Sequence, residues 1–276
     1  MAKWMKRVLP GMFAVALMAV LLALSGSVAQ AQAWAKAKLD KSPRHREWVT
    51  INYDHRKLQA FVVYPEVSHK APVVLVVHEI FGLSDWARSM ADDLAAQGYI
   101  AIVPDLLSEH GPHGGGSSDF PDEDATVKAV FQLDPRQVMA DLNATADYAL
   151  KQPSANGELA VAGFCWGGGK AFEFATLHPH LRAAFVFYGP PPVKEAMTAI
   201  SAPVYGFYAG DDARISSTVP ETTAAMKAAG KEYHPVIYAG AGHGFMRAGE
   251  APDASAANKK ARDAAWARFI RLLGQM

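Results

Sequence analysis

The chain has 276 residues, half of them hydrophobic, and its 27 Lys and Arg balance its 27 Asp and Glu. A balanced charge supplies no field for holding nucleic acid or an anionic membrane, and neither partner is expected. The single cysteine rules out an internal disulfide, and a half-apolar composition is ample for one large core.

Residues 1–33 read as an export signal. Lys3, Lys6 and Arg7 form a positive start, Met12 to Leu24 is almost unbroken apolar sequence, and Ala29-Gln30-Ala31 and Ala31-Gln32-Ala33 offer small-x-small cleavage sites. The apolar run falls short of the ~20 residues a spanning helix needs, so no stable membrane insertion is expected after cleavage. The mature chain, 34–276, is expected to be a single domain, periplasmic or secreted. In an oxidising compartment a lone thiol calls for a reason, and reactivity is one.

Trp48 to Tyr53 and Leu58 to Tyr64 flank the polar turn Asp54-His55-Arg56-Lys57 and predict a β-hairpin. Val73 to Val77 is a continuous apolar run, the mark of a strand buried on both faces of a parallel sheet. Ser84 or Asp85 caps the next helix, whose Trp86, Met90 and Leu94 share a face, and Gly98 ends it. Tyr99 to Val103 is a further buried strand. Asp105 to Pro135, rich in Gly, Ser and acids with few periodic apolar positions, predicts a long excursion over the top of the domain. Val138, Leu142, Ala146 and Ala149 then mark a helix.

Glu158 to Phe164 predicts a buried strand and Ala171 to Leu177 a helix. Between them lies Gly163-Phe164-Cys165-Trp166-Gly167-Gly168-Gly169-Lys170. A strand that turns at once into a helix with a nucleophile at the bend is a nucleophile elbow, and glycines two residues either side of Cys165 are what so tight a turn demands. A phosphate-binding P-loop fails here, because Phe164 stands where its first glycine belongs and Ala171 where its hydroxyl belongs. A G-x-G-x-x-G dinucleotide loop fails because Cys165 occupies the second glycine position. A tight turn holding a buried, inert cysteine is the competing reading of the motif.

Further strands follow at Ala183 to Phe187, Pro203 to Tyr208 and Tyr233 to Tyr238. Pro235 places the last of these at the sheet edge. Helices are expected around Pro220 to Ala229 and at the end, where Trp266, Phe269, Ile270 and Leu273 share a face. The fold class is therefore α/β: a doubly wound, mostly parallel sheet with a leading hairpin, binding its ligand beyond the carboxyl ends of the strands.

An elbow nucleophile takes its partners later in the chain, acid before histidine, in loops just past strands. Asp211 and Asp212 follow the strand ending at Tyr208, and His243, between Gly242 and Gly244, follows the edge strand. Asp212 is the chosen acid. The conjunction assigns Cys165 as nucleophile, His243 as proton carrier and Asp212 as the group that orients it. The oxyanion donors should be the backbone N–H of Trp166 and of Ile80, in the loop His78-Glu79-Ile80-Phe81-Gly82. Glu79 is odd there, since a carboxylate opposes the charge the hole must hold; a helix-flanking surface acid is its other reading.

These pieces, His78 to Gly82, Gly163 to Gly168, Asp212-Ala213-Arg214-Ile215 and Gly242 to Phe245, resemble the dienelactone hydrolase (carboxymethylenebutenolidase) family of the α/β-hydrolase superfamily. The resemblance covers most of the mature chain. It implies the α/β-hydrolase fold, a Cys165–His243–Asp212 triad, and a role for Glu79 in taking the Cys165 proton when a substrate carboxylate enters. It also implies that Arg247, four residues past His243, binds that carboxylate. One departure stands out: the family's second arginine, in the excursion, has no counterpart between Arg88 and Arg136. Lys128, His110 and His113 are the residues that could replace it.

The expected activity is cleavage of a small ester or lactone through a Cys165 acyl-enzyme, with no metal and no cofactor. The alternatives are a general carboxylesterase or thioesterase, a ligand-binding protein of the same fold without turnover, and a metal site built from His110, His113 and Asp105 or Glu109.

Overall fold

A computed structural model describes residues 33–276. The expected export signal lies outside the described residues, save for Ala33. Helix α1 covers 33–40 and lays Ala35 and Leu39 on the core. The strands are β1 (Arg46–Tyr53), β2 (Arg56–Val63), β3 (Ala71–Val77), β4 (Ile100–Pro104), β5 (Ala155–Phe164), β6 (Ala183–Phe187), β7 (Val204–Ala209) and β8 (Tyr233–Tyr238). The other helices are α2 (Asp85–Ala96), α3 (Glu123–Gln132), α4 (Pro135–Leu150), α5 (Trp166–Leu177), α6 (Ala213–Ser216), α7 (Val219–Ala228), α8 (Phe245–Ala248) and α9 (Ala256–Leu273).

The eight strands form one sheet in the order β1-β2-β4-β3-β5-β6-β7-β8. The pairs β1–β2 and β2–β4 are antiparallel, and every pair from β4 to β8 is parallel. Asp54 and His55, with φ of 42° and 66°, make the two-residue hairpin turn, a backbone twist that matches the strands it joins. Strand β8, with Pro235, lies at the sheet edge, where a missing N–H does least harm.

Alternate residues of the central strands feed two cores. Val73, Leu75, Ile102 and Val161 pack with α4, α5 and α7 on one face. Val74, Val76, Ala101 and Phe185 pack with α1, α2 and α9 on the other. A strand covered on both faces has no polar side, which is why β3 and β4 read as unbroken apolar runs.

The excursion is more regular than its composition suggests. It contains a 3₁₀ turn, Ser117–Asp119, and the regular helix α3. That helix buries only Thr126 and Val130 and so has no apolar stripe. Its start is set by capping instead: the Asp122 side chain accepts from Ala125 N, and Glu123 and Asp124 lie in its first turn. The excursion is also tied down. Buried Asp105 accepts from Ser117 N at 2.7 Å and Ser117 Oγ at 2.6 Å, and Ser117 Oγ accepts from Leu83 N at 2.8 Å. These bonds fasten it to the loop after β3.

Candidate active site

Cys165 occupies the bend between β5 and α5 with φ 57° and ψ −121°, a backbone state costly for a residue with a side chain. The surroundings hold it there. Its N–H donates to Phe187 O at 3.0 Å, and its carbonyl accepts from Gly168 N and Gly169 N at 3.0 and 3.3 Å, opening α5. A Cβ on Gly163 would overlap the Gly167 carbonyl, and one on Gly167 would overlap the carbonyls of Val77 and His78. Both glycines beside the elbow are therefore required by close backbone approach.

The three side chains expected to work together do meet. His243 Nε2 is 3.0 Å from Cys165 Sγ, and His243 Nδ1 is 2.5 Å from Asp212 Oδ2. The carboxylate accepts from Nδ1–H, which leaves the Nε2 lone pair facing the thiol. Asp212 is buried behind His243, whereas Asp211 is exposed. Backbone bonds continue past the strand ends and join the loops that carry them: Tyr188 N to Phe207 O at 2.8 Å, Gly210 N to Tyr238 O at 2.8 Å and Asp211 N to Ala241 O at 2.9 Å.

The Cys165 thiol is pushed up to about 12, first by burial and then by the Glu79 charge, while the N–H groups of Trp166 and Ile80 pull the other way. Those two amides therefore both address the sulfur, where donors to a developing oxyanion belong. His78 braces this arrangement. Its Nδ1 is 2.7 Å from Glu79 O, the carbonyl of the same peptide that carries the Ile80 N–H, and its ring stacks on Trp166 at 5.8 Å. A carbonyl only accepts, so Nδ1 bears the proton. Complete burial holds the His78 pKa below its ordinary value.

Glu79 is not a surface acid. It is buried, its Oε2 accepts from Arg247 Nε at 2.8 Å, and its Oε1 accepts from Tyr188 OH at 3.4 Å. Arg247 reaches it from α8, one turn beyond His243, with its guanidinium over the Phe81 ring at 4.8 Å. Tyr188 was not singled out from the sequence. It follows β6 with φ 40°, is fully buried, and sets its ring edge against His243 at 5.0 Å. Its place just past a parallel strand was the available signal.

Glu79, Ile80, Cys165, Trp166, His243 and Arg247 line one cleft of about 330 Å³. Lys128, His110 and His113, the expected substitutes for a second arginine, do not line it. His113 is exposed and bonds Asp119 at 2.8 Å. The additional cation is Arg214, from α6, exposed and without a carboxylate partner among the described residues. Asp105 is engaged by Ser117 and Glu109 faces Arg56 at 3.7 Å. Among the described residues no group of three or more His, Cys, Asp or Glu could hold a metal ion.

An eight-stranded α/β sheet with this constellation at its carboxyl edge defines an α/β hydrolase. Comparison with known proteins narrows the class. Residues 58–276 match the model of the dienelactone hydrolase family. A Yersinia pestis protein named "Putative carboxymethylenebutenolidase" is 34% identical over 210 residues, covering 71% of this chain and 77% of the relative. A Bradyrhizobium protein named "Probable 2-oxo-3-(5-oxofuran-2-ylidene)propanoate lactonase" is 30% identical over 213 residues, 72% of this chain and 83% of the relative. A crystal structure titled as a putative dienelactone hydrolase from Klebsiella pneumoniae superposes with a TM-score of 0.74 at 27% identity, covering 84% of this chain and 99% of that one. The chain belongs to the dienelactone hydrolase family. It is a carboxylic-ester or lactone hydrolase, and its substrate is a small molecule.

Proposed function

We propose that the chain cleaves a small, carboxylate-bearing ester or lactone of the dienelactone kind, with Cys165 as nucleophile and an acyl-enzyme intermediate. The observation that carries this reading is the unbroken line from Cys165 Sγ through His243 to Asp212, with two backbone N–H groups aimed at the same sulfur.

At rest the sulfur keeps its proton, since burial and Glu79 both oppose the thiolate. Arg247 holds Glu79 in an ion pair. A substrate carboxylate entering the cleft competes for Arg247, and Arg214 is a second cation available to it. Released from Arg247, Glu79 takes the Cys165 proton. The thiolate attacks the carbonyl carbon, and the Ile80 and Trp166 N–H groups hold the resulting oxyanion. As the C–O bond breaks, Glu79 gives up that proton by way of His243 Nε2 to the leaving oxygen and is again a carboxylate. His243 then draws a proton from water, the hydroxide attacks the thioester, and the acid product leaves with the Cys165 thiol restored. Asp212 keeps His243 in the tautomer this needs.

The apolar character of much of the cleft wall, including Phe81, Phe131 and Ile215, favours a second reading with the same chemistry on a neutral carboxylester or thioester. Export through residues 1–33, and action in the periplasm or outside the cell, belong to the same proposal. The N-terminal mass of the processed protein tests them. Among the described residues no helix is long and apolar enough to cross a membrane.

The deciding experiment compares hydrolysis of a dienelactone and a neutral aryl ester by the mature protein, Cys165→Ala and Arg247→Ala. A strong preference for the dienelactone that Arg247→Ala removes supports the carboxylate reading. Cleavage of the neutral ester alone would assign a general esterase. Full activity in Cys165→Ala would overturn the acyl-enzyme.

A further inference from the structure

Beside the catalytic cleft lies a second, larger hollow of about 540 Å³ that the chemistry above does not use. The two share a wall. Trp166 and Pro190 line both. On the far side of that wall the hollow runs between α5 and the segment after β6, over Leu177, Pro191, Pro192 and Val193, with the ion pair of Lys170 and Glu173 (2.9 Å) in its lining.

Its lining is set before anything binds. Three consecutive prolines, Pro190 to Pro192, have fixed φ, so this side of the groove loses little conformational freedom on occupation. The segment is also pressed onto the helix: a Cβ on Gly189 would overlap the backbone of Gly168 and Gly169, and one on Gly169 would stand 3.0 Å from the Pro190 ring. Trp166 is fixed in turn by its stack on His78.

Large apolar side chains are nevertheless left in water there. Val193 is 71% exposed and Leu177 55% exposed, and Phe131, on the rim of the catalytic cleft, is 66% exposed. Exposed apolar groups gathered around a preformed groove mark a binding surface. The shared residues name the occupant: an arm on a group held at Cys165 reaches the groove by crossing Trp166 and Pro190, which line both hollows.

We propose that this groove is a substrate subsite for an apolar arm, alkyl or aryl, attached to the ester whose carbonyl sits at Cys165. The subsite rests on the reading of the catalytic cleft but enlarges the substrate from a small lactone to one with an apolar extension of several carbons.

The test uses the single thiol, so that it does not depend on hydrolysis. Cys165 of the intact protein is alkylated with a series of N-alkyl iodoacetamides, from methyl to octyl, and adducts are counted by intact mass. In parallel, kcat/KM is measured for the p-nitrophenyl acetate-to-octanoate series and for acetates of small and large aryl alcohols. Each methylene buried in an apolar pocket adds about fourfold, so with even two methylenes seated in the groove the octyl reagent should react more than about tenfold faster than the methyl one. Val193→Asp and Leu177→Asp, both at exposed positions, should remove that gain and leave the methyl reagent and the acetate unchanged. A rate independent of chain length, or a chain-length gain untouched by both variants, overturns the subsite. Hydrolysis that fails for every ester while the alkylation series shows the gain would overturn the catalytic reading and leave the subsite standing.

Discussion

Arg247 Nε donates to Glu79 Oε2 at 2.8 Å, and the two side chains are only 16% and 4% exposed. For the arginine, burial opposes the charge and the neighbouring carboxylate outweighs it, so its pKa sits above the ordinary value. Breaking one half of such a pair leaves a charge stranded in a poor solvent. Arg247→Met should therefore cost about 3 kcal/mol in urea unfolding. Adding Glu79→Gln should recover most of that loss. Equal stability of the single and double variants would show that the pair is not felt in folding.

The thiol offers a readout in the folded enzyme. With Cys165 raised to about 12, its alkylation by iodoacetamide should go on accelerating well above the ordinary thiol range rather than level off within it. Glu79→Gln removes one of the two opposing influences, so the thiolate becomes easier to form. At pH 8 that variant should alkylate several times faster, measured by intact mass over time.

Asp212 accepts from the His243 nitrogen that faces away from the sulfur. In Asp212→Asn an amide N–H can occupy that position, turning the imidazole to the tautomer whose Nε2 carries the proton. The expected loss in kcat is about 10³ to 10⁴-fold, with KM changed far less. Stopped-flow comparison of acylation rates checks it.

His78 couples the site to pH. Burial depresses its pKa from 6.5, so the unfolded chain binds a proton that the folded chain refuses. Protons bound in excess by the unfolded state make stability rise with pH. The His78 contribution is complete above 6.5 and is lost as pH falls through the unfolded pKa towards the folded one. Thermal unfolding between pH 7 and pH 5 should show a smaller acid loss in His78→Gln than in the parent. Glutamine can still donate to Glu79 O, so its kcat should stay near the parent's. His78→Leu, without a donor, should lower kcat about tenfold.

What could be read in the chain was what local rules control. The hairpin turn, the buried β3 and β4 runs, the Ser84 cap and the edge placement of β8 all follow from a few adjacent residues. Cys165, Asp212 and His243 were legible because strand-then-loop order fixes where an elbow's partners can lie. Helix α3 escaped because it buries so little that capping, not periodicity, defines it. The cation at the cleft escaped for another reason. Within the excursion the sequence offers only Lys128, His110 and His113, whereas Arg214 arrives from the loop after β7 through the packing of distant strands. The ties of Glu79 to Arg247 and Tyr188 are likewise invisible before the sheet is assembled, because they join residues 168 and 109 positions apart.

The backbone bonds that run on past the ends of β5 to β8 bear on how the enzyme fails. Because Cys165, Tyr188, Gly210 and Asp211 each donate to the neighbouring chain segment, the loops that carry Cys165, Asp212 and His243 are stitched as the last rows of the central fabric. They are not free flaps. Their amides should be among the slowest to exchange with deuterium. Loss of activity on heating should then coincide with melting of the whole sheet, with no window in which an intact body carries a scrambled site.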